Sequence, residues 1–464
     1  MRVKVVDDAV ASVRASAPTT VPILVVVGLL YVLLRVTTMS SFTAIAAAGV
    51  AALVLLVTAA GLEGAAIALL TVGVALSPMD ALRPVSAIEF VAASDVFLAL
   101  GFGVLIPVLI VRPARIHSAY VLAAAVLVLL CILSSVLSDF PLLSLNSTAR
   151  LVVGALTLPF LFSVWQPQKH ITTLFAAAFV VGNCFNLASS FWRGIGDGGR
   201  RIGYSTHPNI LGLAALLGLA LIPFLLDAMP RLRVFTLLGA AGCSYAIWVS
   251  GSRAALLAAA AVAVLYIVFS RSVAGAMALF GLSIPAFYIV AQAYLSDEND
   301  SASALGRLLG GGSSQGSDQA RIMAAEHAWD VFQRHPLLGS GLAEVMEAHN
   351  IYLQVAAAVG VVGAAVFLVV LGIVAARAFS LPKPYDLLIL PVLGYAMIGV
   401  MTPILWDRYV WCVLALPFLV PWNSIDGDEA QDEEPVTTGS HRAGLLLPDV
   451  SRDLRPSRTW ARAR

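Results

Sequence analysis

Residues 208–227, PNILGLAALLGLALIPFLLD, carry one charged side chain, Asp227, at their far end. A helix that crosses a bilayer needs about 20 mostly apolar residues, because the hydrocarbon layer is about 30 Å thick and has no water to satisfy a bare backbone. The stretch meets that length and composition, so it predicts a membrane-spanning helix.

Similar runs recur on both sides of it, separated by short polar breaks. They lie near 20–36, 42–60, 64–78, 90–111, 118–137, 150–165, 171–192, 233–250, 254–270, 273–294, 349–376, 386–404 and 408–421. The runs at 64–78, 150–165 and 408–421 are short enough to be tilted or re-entrant. The expected fold is therefore all-α: a polytopic integral membrane protein with about 11–14 transmembrane helices. Composition agrees, since 59% of the 464 residues are hydrophobic and 12% are charged, with a mean hydropathy of +0.90; a soluble domain averages about a quarter charged.

A net charge of +1 leaves no cationic surplus for many phosphates, which argues against nucleic acid as a partner. Cys131, Cys184, Cys243 and Cys412 lie in apolar runs without the spacing of a zinc site or disulfide framework, and read as small core residues. Residues 1–19 read as a cytoplasmic N-terminal segment before a retained first span, 20–421 as the membrane domain, and 422–464, with the acidic stretch DGDEAQDEE, as a disordered cytoplasmic tail.

Orientation follows from the basic residues of the short loops. With a cytoplasmic N-terminus and every run crossing, Arg112, Arg115, Lys169, Arg231, Arg233, Arg271, Arg377 and Lys383 fall inside, and so do all three lysines. The same count puts Arg83, Arg150, Arg193, Arg200, Arg201, Arg253, Arg307, Arg321, Arg334 and Arg408 on the outer face. Arginine without lysine there suits a planar oxyanion, which guanidinium grips with a rigid fork; a chain that uses arginine everywhere accounts for it as well.

Two outer segments break the apolar pattern. One is the glycine-rich basic loop Trp192 to Thr206, WRGIGDGGRRIGYST. The other is the long loop 295–348, in which Asp318 to His335 fits an amphipathic helix whose stripe of Ile322, Ala325, Trp329 and Phe332 is expected to lie along the membrane interface.

The candidate site residues come from these segments. Arg253, in SGSR at the junction of two apolar runs, reads either as an anion ligand or as an anchor reaching for the interface. Arg321 opens the amphipathic helix, as a ligand or a solvated charge. Arg200 and Arg201 sit among glycines, which suits close approach to a ligand and equally a flexible basic loop. His349 stands where the long loop meets an apolar run; it caps that helix or serves as a base, since imidazole accepts a proton near neutral pH.

His349-Asn350, nine residues, then Gly360-x-x-Gly363 resembles the signature of the O-antigen ligase and polymerase family of bacterial membrane glycosyltransferases. HPLLGSGLAEVMEAHNIYLQ, the stretch from Gly203 to Pro208-Asn209 and SGSRAALL at 250–257 resemble further segments of that family, in the same order. The resemblance covers residues 200–363 and implies a GT-C-like fold in the cytoplasmic membrane of a bacterium, with the site on the extracytoplasmic face. It implies transfer of a glycan from a polyprenyl-diphosphate-linked donor to a glycan, lipid or protein acceptor, by inversion and with neither metal nor cofactor. The roles it implies are catalytic for His349, Arg253 and Arg321, and substrate-binding for Arg200, Arg201, Asn209 and Asn350. Two rivals remain open: a polymerase of lipid-linked repeats, and a non-catalytic transporter or flippase of lipid-linked sugars.

Overall fold

The computed structural model describes residues 41–83, 91–112, 117–196, 199–270, 303–308, 314–345 and 348–421. The candidate spans at 20–36 and 273–294, the terminal segments and part of the long loop lie outside these residues. The described chain is helical: α1 Ser41–Leu76, α2 Ala93–Val111, α3 Ser118–Val136, α4 Pro141–Leu151, α5 Leu158–Trp165, α6 His170–Ser189, α7 Pro208–Ala228, α8 Arg233–Ser250, α9 Arg253–Ser270, α10 Ala304–Leu308, α11 Ser314–Arg334, α12 Ile351–Phe379, α13 Ile389–Ile398 and α14 Arg408–Leu414. Eight helical stretches among the described residues are long and apolar enough to cross a membrane. The all-α polytopic fold expected from hydropathy is the fold observed.

The runs at 42–60 and 64–78 are the two halves of α1, which Gly61 separates with a non-helical backbone (φ 72°, ψ 173°). Hydropathy missed where other helices join and where one hides. The run at 150–165 is the second half of a longer stretch in which α4 passes through a π turn, Val152–Thr157, into α5. Gly154 in that turn backs onto Trp411, where a Cβ would lie 2.5 Å from the indole Cδ1. The run at 408–421 is α14 followed by a 3₁₀ turn, Leu416–Leu419, and Tyr409 through Val420 are all buried. An apolar segment enclosed on every side is a core element, and its hydropathy equals that of a span.

Polar contacts sort the connections into two ends. At one, Ala81 N donates to Tyr204 O (2.8 Å), Arg201 N to Val249 O (3.1 Å), Ala343 N to Ser144 Oγ (3.1 Å) and Ile351 N to Gly399 O (2.8 Å). At the other, Arg112 reaches the Trp165 carbonyl (3.1 Å), Tyr385 Oη donates to Lys169 O (3.2 Å) and Arg377 to Val420 O (2.6 Å). Arg112 also forks onto Glu63 (3.0 and 2.8 Å), which accepts from Trp165 Nε1 (3.1 Å), so a carboxylate within the apolar α1 is paired at that second end. The lysine-bearing and the arginine-only loops thus segregate as orientation reasoning expects, and the candidate residues all stand at the first end.

Candidate functional site

The glycine-rich loop between α6 and α7 is set by what lies beneath it. Gly203 takes φ +59° over Asn186, and a Cβ there would come within 2.5 Å of the Asn186 carbonyl and amide oxygens. Buried Asn186 donates to Pro78 O and Ser205 Oγ, both at 2.9 Å, and accepts from Tyr204 N (2.8 Å). Thr206 closes the clamp, donating from N (3.0 Å) and Oγ1 (2.6 Å) to Asp80. A loop tied this firmly points its two arginines in fixed, opposite directions. Arg201 donates to Ser190 O (2.9 Å) and lies 4.5 Å over the Phe191 ring. Arg200 turns inward to 7% exposure, donating to Ser250 O (2.7 Å) and to Asn209 Oδ1 (2.6 Å).

Three more arginines meet Arg200. The α8–α9 corner turns on Gly251 (φ +63°), which sets Arg253 at the start of α9. Arg253 forks onto Asp318 in the first turns of α11, with Nη1 3.0 Å from Oδ2 and Nη2 closer still to Oδ1. Arg321 approaches the same carboxylate at 3.7 Å. Arg307 of α10 is 3% exposed and donates to Gly251 O (3.3 Å). The Nε atoms of Arg307 and Arg321 are buried without a hydrogen-bond partner.

Three guanidiniums act on the one carboxylate, and a fourth, Arg200, lies near all three, which leaves a surplus of positive charge. Burial, then the neighbouring charges of Arg307, Arg321 and Arg253, push Arg200 down to about 9. Arg307 and Arg321 are lowered too, by burial and then by Arg253. Asp318 is held below the ordinary carboxylate range, chiefly by its hydrogen bond to Arg253. A multiply charged oxyanion with several acceptor oxygens relieves this repulsion and supplies the missing partners.

His349 and Asn350 head α12. Asn350 Oδ1 accepts from Tyr352 N (3.0 Å) and Leu353 N (3.1 Å), the geometry of an N-cap. His349, half-buried, takes φ +52°, a left-handed conformation that non-glycine residues rarely adopt and that recurs at functional sites. Farther along α12, Gly360 (φ 78°, ψ 178°) breaks the helix and frees backbone groups. The segment from Pro336 to Gly341 satisfies them: Val361 N donates to Pro336 O (2.8 Å), Ser340 N to Ala357 O (3.1 Å) and Gly341 N to Ala358 O (2.9 Å).

Residues 238–368 match the family model described as O-antigen ligase. Over that stretch the chain is similar to the O-antigen ligase family. No curated protein matches it. The matched stretch holds Arg253, Arg307, Arg321, His349, Asn350, Gly360 and Gly363, while Arg200, Arg201 and Asn209 precede it.

Among the sequence candidates, the fold brings Arg200, Asn209, Arg253 and Arg321 together, and sets His349 and Asn350 at the head of α12 at the same end. It turns Arg201 away from them. Sequence reading missed Arg307 and Asp318 as site residues; both lie in the polar loop, and no spacing links them to residues 50 or more positions away. Among its described residues α11 buries Ala328 and Val331, and Ile322 and Trp329 of the expected stripe are at least half exposed, as is Met323 beside them. A second polar cluster was missed too: Asp80, Arg83, Arg150, Thr206, Trp406, Asp407 and Arg408 line a cavity of about 190 Å³.

Proposed function

We propose that this protein transfers a glycan from a polyprenyl-diphosphate-linked donor to an acceptor hydroxyl on the outer face of a bacterial cytoplasmic membrane. The gathering of Arg200, Arg307 and Arg321 near the Arg253–Asp318 pair carries this reading. An acceptor oxygen attacks the anomeric carbon as the bond from that carbon to the phosphate oxygen breaks. The bonding pair leaves with the carrier diphosphate, the acceptor proton passes to the His349 imidazole, and attack opposite the leaving group inverts the anomeric centre.

The arginines act on the charge that develops on the leaving diphosphate. Donors aimed at such charge in a dry site stabilise the transition state strongly, and losing one typically costs roughly 100-fold in rate. Asp318, ion-paired to Arg253, holds the position that a phosphate oxygen takes when donor binds. Transfer through this arginine clamp survives chelation of divalent cations.

The test is acceptor-dependent release of carrier diphosphate by purified protein in lipid, supplied with polyprenyl-diphosphate glycans, with and without EDTA. Release that needs acceptor and persists in EDTA supports the reading. Movement of intact donor across the bilayer without release makes the protein a transporter, and strict dependence on added Mg or Mn overturns the clamp.

A further inference from the structure

An apolar groove of about 420 Å³ runs down the flank of the bundle between α2 and the α4–α5 stretch, and the arginine cluster makes no use of it. Leu98, Ala99 and Phe102 line one wall; Val153, Leu158 and Leu161 line the other. From Arg150 to Leu161 the helical path descends about 16 Å, at about 1.5 Å per residue. Ala99 and Val153 are exposed on the outside of the bundle, so the groove opens sideways, where a membrane protein meets acyl chains.

Arg150 and Arg408 stand at its head and also line the 190 Å³ polar cavity, so groove and cavity adjoin. Two carboxylates here are occupied, Asp80 of the cavity by Thr206 and Asp95 of the groove by Arg408 and Ala92 N, and a third, Asp407, also lines the cavity. One nitrogen on each of two guanidiniums, Arg83 Nη1 and Arg150 Nε, is buried without a hydrogen-bond partner. A buried donor left unpaired is costly, and an oxyanion is the acceptor that fits a guanidinium best.

This cluster has its own charged neighbours: Asp80, Arg408 and Arg150 act on Asp407, whereas Arg307, Arg321 and Arg253 act on Arg200. The loop from Arg200 to Thr206 joins the two, with Arg200 in one and Thr206 in the other.

We propose that groove and cavity bind a second lipid, one hydrocarbon chain ending in a phosphate, held by Arg83 and Arg150 independently of the donor. Given the transfer reaction above, this lipid is the anchored acceptor, brought to the opposite side of the Arg200–Thr206 loop from the donor diphosphate. Binding itself does not depend on that reaction.

The experiment uses the full chain in phosphatidylcholine nanodiscs and a dodecyl phosphate carrying a diazirine on its chain. Photolabel is expected on α2 and on the α4–α5 stretch, reduced about tenfold in Arg150→Gln and in Ala99→Trp, which fills the groove from its exposed side. Label in Arg253→Ala is expected to match wild type. Equal labelling by the corresponding dodecanol probe, or undiminished labelling in Ala99→Trp, would overturn the proposal. Loss of groove label in Arg253→Ala would overturn it differently, by making the groove the seat of the donor's own chain. A protein that labels as expected yet releases no carrier diphosphate keeps the second-lipid site and loses the transfer reaction.

Discussion

Asp318 lies across the guanidinium fork of Arg253, with Oδ2 3.0 Å from Nη1, and also faces Arg321 at 3.7 Å. The carboxylate comes from the start of α11, 65 residues away in sequence. It neutralises one of four clustered charges while no phosphate is bound, and so competes with the ligand those arginines suit.

Asp318→Asn should therefore tighten binding of polyprenyl diphosphate by roughly tenfold, the scale of one charge-assisted hydrogen bond removed from the competing state. The ligand-free protein should melt at a lower temperature and gain more from added ligand. Titration calorimetry and melting curves on one preparation measure both. Unchanged affinity would mean that the carboxylate does not occupy the phosphate position.

Arg307 carries the prediction that sequence did not make. Arg307→Ala and Arg253→Ala should each weaken donor binding and lower transfer by roughly 100-fold. Arg253→Lys should restore little, because an ammonium cannot fork across two oxygens. Steady-state transfer and donor affinity on folded protein are the readouts, and near-normal turnover in Arg307→Ala removes it from the clamp.

His349 and Gly360 share a motif and should fail differently. His349→Ala should keep donor affinity while transfer falls by 100-fold or more. Gly360→Ala puts a Cβ 2.0 Å from the Leu337 carbonyl at φ +78°, so its defect should appear as lost yield and a lower melting temperature. If Gly360→Ala folds normally but is inactive, the glycine serves the chemistry rather than the backbone.

Asp407 gives the fold a pH dependence. Burial, and then the charge of Asp80, push its carboxyl up to about 7, against an ordinary value of 3.8. The folded state thus holds this proton more tightly than the unfolded chain. The stability that follows is fully present below about 4 and is lost as pH rises to about 7. Melting temperatures of Asp407→Asn between pH 4 and 8 should show a flatter profile than wild type; parallel profiles would place the titration elsewhere.

Orientation is open to direct labelling. A cysteine at Glu326, exposed on α11, should react with an impermeant maleimide applied to the outer face of the cytoplasmic membrane. Reaction only from the cytoplasmic side would invert the bundle and remove the outer-face reaction.

Hydropathy alone determined the membrane fold, because the need to satisfy every backbone group within lipid leaves a run such as 208–227 little choice but a helix. Basic-residue counting likewise foresaw which loops share an end, and His349 with Gly360 was legible as a spaced pattern. Tertiary structure decided the rest. Hydropathy reports polarity without reporting neighbours, so it could not tell the buried α14 from a span or see that α4 runs on through a π turn into α5. Nor could it show that Arg200, Arg253, Arg307 and Arg321 are neighbours, since their spacing follows from how the α6–α7 loop, α9, α10 and α11 pack. The same limit hid the polar cavity, whose walls come from Asp80, Arg150 and Asp407, more than 300 residues apart at the extremes. Charge in a membrane protein is tolerated where other charges or ligands meet it, and only the packed helices fix where that is.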